Sequence, residues 1–234
     1  MKNTKFVQDI FSSVASKYDI MNDLMSFGMH RVWKNQFAQM LQPFNNGKLL
    51  DLAGGTGDIA FRFIDNGGLE VVVCDLNQNM LEVGKAKAID SGKMSYINQI
   101  SWICGNAEQM GFENATYDCC SMVFGIRNVE HIEKALTEIY RVLKPKSSFI
   151  CMEFDNMNEG AFKTIYNLYS KYCIPTLGKV VANDSAAYQY LVNSIAAFPK
   201  PEEFETMLKK SGFAHVVRTS VMPAVATIYN CYKL

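Results

Sequence analysis

The sequence predicts an α/β protein: a doubly wound, mostly parallel sheet of seven strands with an antiparallel last strand, carrying extra helices at its N-terminus and a helical insert. Three observations predict it. Strand-like apolar runs alternate with segments of helical period from residue 48 to residue 154, as in parallel βαβ units. The first of these strands runs into a glycine-rich turn flanked by carboxylates, Asp51-Leu52-Ala53-Gly54-Gly55-Thr56-Gly57-Asp58. The chain then closes on two strand-like runs with only Met222-Pro223 marked between them, which suits an antiparallel hairpin at the sheet edge.

The elements follow in order. Residues 4 to about 41 read as helical, with apolar positions Phe6, Ile10, Val14, Val32, Phe37 and Leu41. Lys48–Ala53 reads as the first strand and Asp58–Asn66 as a helix ended by Gly67-Gly68. Glu70–Asp75 is the second strand, Gln78–Asp90 a helix stopped near Gly92, Ile100–Cys104 the third strand and Asp118–Phe124 the fourth. Ile132–Leu143 is a helix with an apolar stripe, ended by Pro145, and Ser148–Phe154 is the fifth strand. Gly160–Cys173 and Ser185–Phe198 are predicted helices around an irregular turn. Pro201–Lys210 is a helix with Pro at its start and Gly212 past its end. Val216–Val221 and Ala226–Tyr232 are the closing strands. A single domain over 1–234 is expected, with 1–41 as a helical lid and 155–200 as a helical substrate-binding insert.

Bulk properties narrow the class. The 234 residues are 49% hydrophobic and 20% charged, ordinary for a soluble globule. Lys+Arg and Asp+Glu both count 23, so no global field favours nucleic acid. The seven cysteines form no C-x-x-C pair and mostly sit in apolar runs, so reduced thiols are expected. His30, His131 and His215 show no metal-ligand spacing, and no metal is expected. The opening residues carry neither a signal-peptide core nor an Arg/Ser-rich transit segment, and the expectation is a cytoplasmic protein.

The glycine turn lets a ligand approach the backbone, and the following helix aims its first N–H groups at it. Asp75, at the end of the second strand and 18 residues after Gly57, can accept both ribose hydroxyls. Two cofactors compete. Gly55-Thr56-Gly57-Asp58-Ile59-Ala60 fits G-x-G-x-x-A, the dinucleotide fingerprint of a nicotinamide oxidoreductase. Asp51 and Asp58, one at each flank, suit the cationic amino-acid end of S-adenosyl-L-methionine better than a pyrophosphate. The turn is also a form of the methyltransferase pattern acidic-x-small-x-Gly-x-Gly, and Asn106-Ala107 follow the third strand where such enzymes grip adenine. The expected cofactor residues are Asp51, Gly54, Gly55, Thr56, Gly57, Asp75, Leu76, Asn106 and Ala107. A reversed strand inserted late into a parallel sheet is itself a class I methyltransferase trait.

Two longer segments carry a resemblance. Residues Tyr18-Asp19-Ile20-Met21-Asn22-Asp23-Leu24-Met25-Ser26-Phe27-Gly28-Met29-His30-Arg31-Val32-Trp33 and Phe124-Gly125-Ile126-Arg127-Asn128-Val129 resemble the two signatures of the ubiquinone/menaquinone biosynthesis C-methyltransferase family. The stretches Tyr140–Pro145, Met152–Phe154 and Tyr188–Ile195 are similar too, so the resemblance covers nearly the whole chain. It implies cofactor contacts at Thr56, Asp75, Asn106 and Ala107. One position departs: Val123 stands where members commonly carry Ser, which removes a side-chain hydroxyl contact.

The resemblance implies C-methylation of a polyprenylated benzoquinol or of demethylmenaquinol. The attacking ring carbon needs an ionised oxygen beside it. If that oxygen resembles Tyr, with a pKa of ~10, ionising it at pH 7 costs about 4 kcal/mol. A nearby cation lowers such a pKa by roughly 1–3 units. Arg127 is the leading candidate for phenolate stabiliser or water organiser; the alternative is that it ties its loop to a carboxylate. Asn128 can orient the ring oxygen, and Tyr18 and His30 complete the candidate catalytic set, with a helix-packing role equally open for His30. Asp19, Asn22, Trp33, Phe124, Tyr166 and Tyr188 are the candidate substrate contacts, Trp33 and the tyrosines with core packing as the alternative. A lipid substrate implies peripheral contact with the inner face of a membrane, and a homodimer is among the expected assemblies. The alternatives of other classes are the oxidoreductase and a non-catalytic scaffold in a quinone-biosynthesis assembly.

Overall fold

In a computed structural model of the protein, the described residues are 28–155, 185–221 and 225–234 with Gln8, Ser12, Asp23 and Ser26; for 185–188 and 191 only the backbone is described. The expected helix over 160–173 lies outside them. The elements are α1 Met29–Met40, β1 Lys48–Leu52, α2 Asp58–Asp65, β2 Glu70–Asp75, α3 Gln78–Asp90, α4 Met94–Gln99, β3 Ile100–Cys104 and β4 Tyr117–Val123. After them come α5 Ile132–Val142, β5 Leu143–Phe154, α6 Ser185–Ala196, α7 Pro201–Lys210, β6 Ala214–Val221 and β7 Ala226–Tyr232. Short 3-10 turns occupy Gln42–Phe44 and Ile126–Asn128.

The strands form one sheet in the order β3-β2-β1-β4-β5-β7-β6. β1 pairs in parallel with β2 and with β4, and β5 in parallel with β4. β7 runs antiparallel to both β5 and β6, so the hairpin is folded in: β7 is inserted and β6 forms the edge. The chain order reverses between β1 and β4, which opens a crevice at the carboxyl ends of those strands.

Strand alternation sorts side chains into two cores. Leu50, Leu52, Val72, Cys120, Met122, Phe149 and Cys151 face α5 and α7, against Leu136, Ile139, Phe204 and Leu208. Leu49, Val71, Val73, Cys119, Ile150 and Met152 face α1, α2 and α3, against Phe37, Ile59, Phe63 and Leu81. Both faces are covered, which is why these strands read as continuous apolar runs. Among the described residues no helix is long and apolar enough to cross a membrane.

Two departures have local causes. β5 begins at Leu143, where a helix was expected to end, because Leu143 already pairs with Tyr117. The register then shifts before Cys119 meets Ser148, and that irregularity accommodates Pro145. α4 was unforeseen: of its six residues only Tyr96 is buried, too little for a periodic signal.

Candidate active site

β1 is buried from Leu49 to Leu52 and delivers Asp51 beside Ser121 of β4, whose hydroxyl donates to Asp51 Oδ1 at 2.7 Å. The chain then turns tightly, with Gly57 N–H donating to the Gly54 carbonyl at 2.9 Å. Gly57 has φ 82°, and a Cβ there would lie 2.5 Å from the Trp102 ring, so no other residue fits. It is also the N-cap of α2, and no side chain caps that helix, which leaves its first N–H groups for a ligand. A Cβ on Gly54 would lie 2.8 Å from Asp51 Oδ2, so a side chain there would crowd the carboxylate.

A cleft opens over this turn. Its walls include Asp51, Gly54, Gly55, Thr56, Asp75, Leu76, Asn106 and Ala107, the set expected from the sequence except Gly57, which shapes the turn from behind. Asp75 receives the Gly55 N–H at 2.9 Å and the Asn77 N–H at 2.8 Å; burial raises its carboxyl and these donors oppose the rise. Asp51 is 1% exposed, and Oδ2 has no hydrogen-bond partner among the described residues. Burial pushes its carboxyl up to about 7, against the Ser121 bond and with added repulsion from Asp58 and Asp75.

Asp58 requires a correction. It is not a carboxylate left for a cationic ligand: Lys34 of α1 meets Oδ2 at 2.7 Å and Arg62 meets Oδ1 at 2.8 Å. Burial alone would raise it, but these two cations hold it below its usual value. Lys34 lines the cleft and was missed, because the pairing spans 24 residues and a helical lysine signals nothing locally.

The rim joins distant segments. Asn77 caps α3 by accepting the Met80 N–H at 3.2 Å, and its amide donates to the Gln8 carbonyl and to Ser12 Oγ, each at 2.9 Å. Gln8 also donates to the Leu76 carbonyl at 3.1 Å and lines the cleft. Asn106 accepts the Glu108 N–H, and Glu108 accepts the N–H groups of Glu130 and His131. Lys87 donates to the Thr56 hydroxyl at 3.1 Å.

The far wall comes from the end of β4 and the turn after it: Val123, Phe124, Gly125 and Asn128 line the cleft. Arg127 does not. It is 3% exposed, and its guanidinium donates to Glu153 at 2.7 Å and to the Phe124 carbonyl at 2.6 Å. The alternative weighed for it, a tie to a carboxylate, is the geometry observed: Glu153, fully buried at the end of β5, draws the cation inward. Asn128 Oδ1 accepts from the Tyr190 hydroxyl at 2.9 Å, a link from α6 that places Tyr190 beside the site. Phe124, at φ 56°, stacks on Phe154 with centroids 4.3 Å apart.

Trp33 and His30 also leave the expected site. Trp33 is buried and packs edge-on against Phe154 at 6.4 Å, outside the cleft lining. His30 is buried in α1 and bonded through Nε2 to Asp23 at 2.8 Å, burial lowers its pKa, and it is not among the residues that line the cleft. Tyr18, Asp19, Asn22 and Tyr166 lie outside the described residues, as does the side chain of Tyr188.

The model of the ubiE/COQ5 methyltransferase family matches residues 1–233. The chain belongs to the ubiE/COQ5 methyltransferase family. Relatives within it include a mitochondrial 2-methoxy-6-polyprenyl-1,4-benzoquinol methylase of Oryza sativa, 45% identical over 99% of this chain and 84% of that protein. The Homo sapiens protein of the same name is 41% identical over 97% and 80%. A ubiquinone/menaquinone biosynthesis C-methyltransferase of Zymomonas mobilis is 42% identical over 100% and 94%. Solved structures share the family's fold. A methyltransferase from Thermotoga maritima superposes with TM-score 0.64 at 19% identity, over 97% of this chain and 99% of that one. Another from Aquifex aeolicus gives 0.65 at 15%, over 94% and 97%. Family membership removes the nicotinamide oxidoreductase reading of the glycine turn.

Proposed function

We propose that this chain is an S-adenosyl-L-methionine-dependent C-methyltransferase acting on the ring carbon of a polyprenyl benzoquinol, of demethylmenaquinol, or of both. The substrate class follows from the names its relatives carry. One observation in the site carries the cofactor reading: a buried carboxylate oxygen, Asp51 Oδ2, lacks a partner among the described residues, on the wall of a cleft over a glycine turn. The α-ammonium of the amino-acid end satisfies that oxygen; a pyrophosphate repels it. The residues fit the group. Asp51 and the Gly54–Gly57 turn would hold its amino-acid end, Asp75 its ribose, and Leu76, Asn106 and Ala107 its adenine. When bound, it supplies an electrophilic methyl group on a sulfonium.

The chain's own residues prepare the other reactant. The buried Arg127–Glu153 pair fixes the turn Ile126–Asn128, and that turn presents Asn128 to the cleft. The Tyr190 hydroxyl, whose pKa burial raises, stays protonated and donates to Asn128 Oδ1, so the amide is held in one orientation. Asn128 can then hydrogen-bond the quinol oxygen beside the attacking carbon. Phe124 and Val123 give this wall an apolar surface that keeps water from the methyl group. Arg127 acts on that oxygen only through the turn it braces, since Glu153 balances its charge at 2.7 Å.

The prenyl tail partitions into lipid, so we place the working enzyme at a membrane surface on the cytoplasmic side. The test is methyl transfer from labelled S-adenosylmethionine to a demethylated quinol, by purified protein with the quinol in liposomes. Ring-methylated product and co-sedimentation with the liposomes are expected. Asn128→Ala is expected to lower turnover about tenfold to hundredfold with S-adenosylhomocysteine affinity changed less than about threefold. A protein that binds S-adenosylhomocysteine yet transfers no label is the non-catalytic scaffold, and the proposal is then wrong.

A further inference from the structure

The cofactor reading above leaves one charge unaccounted for. The amino-acid end of S-adenosylmethionine carries an α-ammonium and an α-carboxylate. Asp51, Asp75, Glu108 and Glu130 line the cleft beside the ion-paired Asp58, and carboxylates repel a further one. Among the described lining residues, one side chain is a Lys or Arg: Lys34.

Lys34 is 5% exposed, and lysines are rarely buried so far without a purpose or a partner. It has a partner, Asp58, at 2.7 Å. Asp58, however, is shared: its other oxygen receives Arg62 at 2.8 Å, and Arg62 also bonds the Asn35 side chain. Two cations on one carboxylate leave the trio a net charge of +1. That excess sits beside the first turn of α2, whose N–H groups no side chain caps. The cleft is therefore dipolar at this end, negative at Asp51 and positive at Lys34.

We propose that Lys34 is the binding residue for the α-carboxylate of the cofactor's amino-acid end, opposite the Asp51 that takes its α-ammonium. The inference rests on the S-adenosylmethionine reading and names a residue of the N-terminal helix as part of the cofactor site. It also gives α1 a function in the site itself, through a side chain that reaches across 24 residues of sequence to α2.

The test compares two ligands on the full chain by calorimetry: S-adenosylhomocysteine and its decarboxylated analogue, S-adenosyl-3-thiopropylamine. Wild type is expected to prefer the carboxylate-bearing ligand by about tenfold or more. Lys34→Met is expected to weaken S-adenosylhomocysteine by about that factor and the analogue by less than threefold. Equal weakening of both ligands, or no weakening, overturns the proposal. If Lys34→Met does not fold, the wild-type pair decides: equal affinity for the two ligands overturns it. A wild type that binds neither ligand overturns the cofactor reading instead, so the two failures are distinct.

Discussion

Asp51 answers two opposed demands. Burial makes its charge costly, and a cationic ligand needs that charge. Its carboxyl, raised to about 7 in the fold, starts from about 3.8 when exposed. Between those values the folded protein binds more protons than the unfolded chain, so Asp51 subtracts stability as pH rises through this window. Asp51→Asn removes that loss. It is expected to stabilise the protein at pH 8 by on the order of 1–3 kcal/mol in urea denaturation, with the gain vanishing toward pH 4. The same variant is expected to bind S-adenosylhomocysteine at least about tenfold more weakly at pH 8. A destabilised variant at pH 8 would show that Asp51 is not strained by burial. Asp51, Gly54 to Thr56 and Asp75 were legible in sequence because a strand, a turn and a second strand place them within one local unit. Lys34 was not, and for Arg127 the sequence left a tie to a carboxylate open as an alternative without pointing to Glu153. Each is decided by a carboxylate far along the chain, Asp58 or Glu153, and spacing carries no trace of such pairs.

Among the elements, α3 is fastened at its N-cap. Asn77 both caps the helix and donates to Gln8 and Ser12, more than 60 positions upstream. Asn77→Ala loses the cap and both donations, and is expected to cost about 1–3 kcal/mol in chemical denaturation. Asn77→Ser keeps an acceptor for the cap but is too short to reach the N-terminal residues. The difference between the two variants measures the cap alone, and equal losses would mean that the cap contributes nothing. β1, β2, β3 and α2 to α3 were readable to within a residue because each is an uninterrupted apolar run or stripe ended by glycine or a cap. The early start of β5 was hidden, since Pro145 ends a helix in sequence logic but sits here in a register shift that only β4 reveals. The antiparallel pairing of β6 with β7 was foreshadowed by the short gap after Val221, while the place of β7 between β5 and β6 needed the fold.

For the molecule as a unit, ligand binding and folding are linked. The cleft draws walls from β1, β2, α1 and the turns after β3 and β4, so it exists only when the sheet is assembled. A ligand that binds only the folded state at 100 times its Kd adds about 2.7 kcal/mol of stability. For a domain of this size the melting temperature is expected to rise by about 5–10 °C with S-adenosylhomocysteine. NAD at the same concentration should leave it unchanged, and an equal shift with NAD would return the glycine turn to a dinucleotide.

The position of β7 bears on how the chain is made. β6 leaves the ribosome before β7, yet β7 is the strand that joins β6 to β5. Until those later residues emerge, β5 presents an open edge and β6 has nowhere to dock. From the completion of β5 at Phe154 to the arrival of β7 at Ala226, the nascent protein therefore carries a sheet with an unpaired edge, and its native topology is sealed when the last strand pairs with β5 and β6 together.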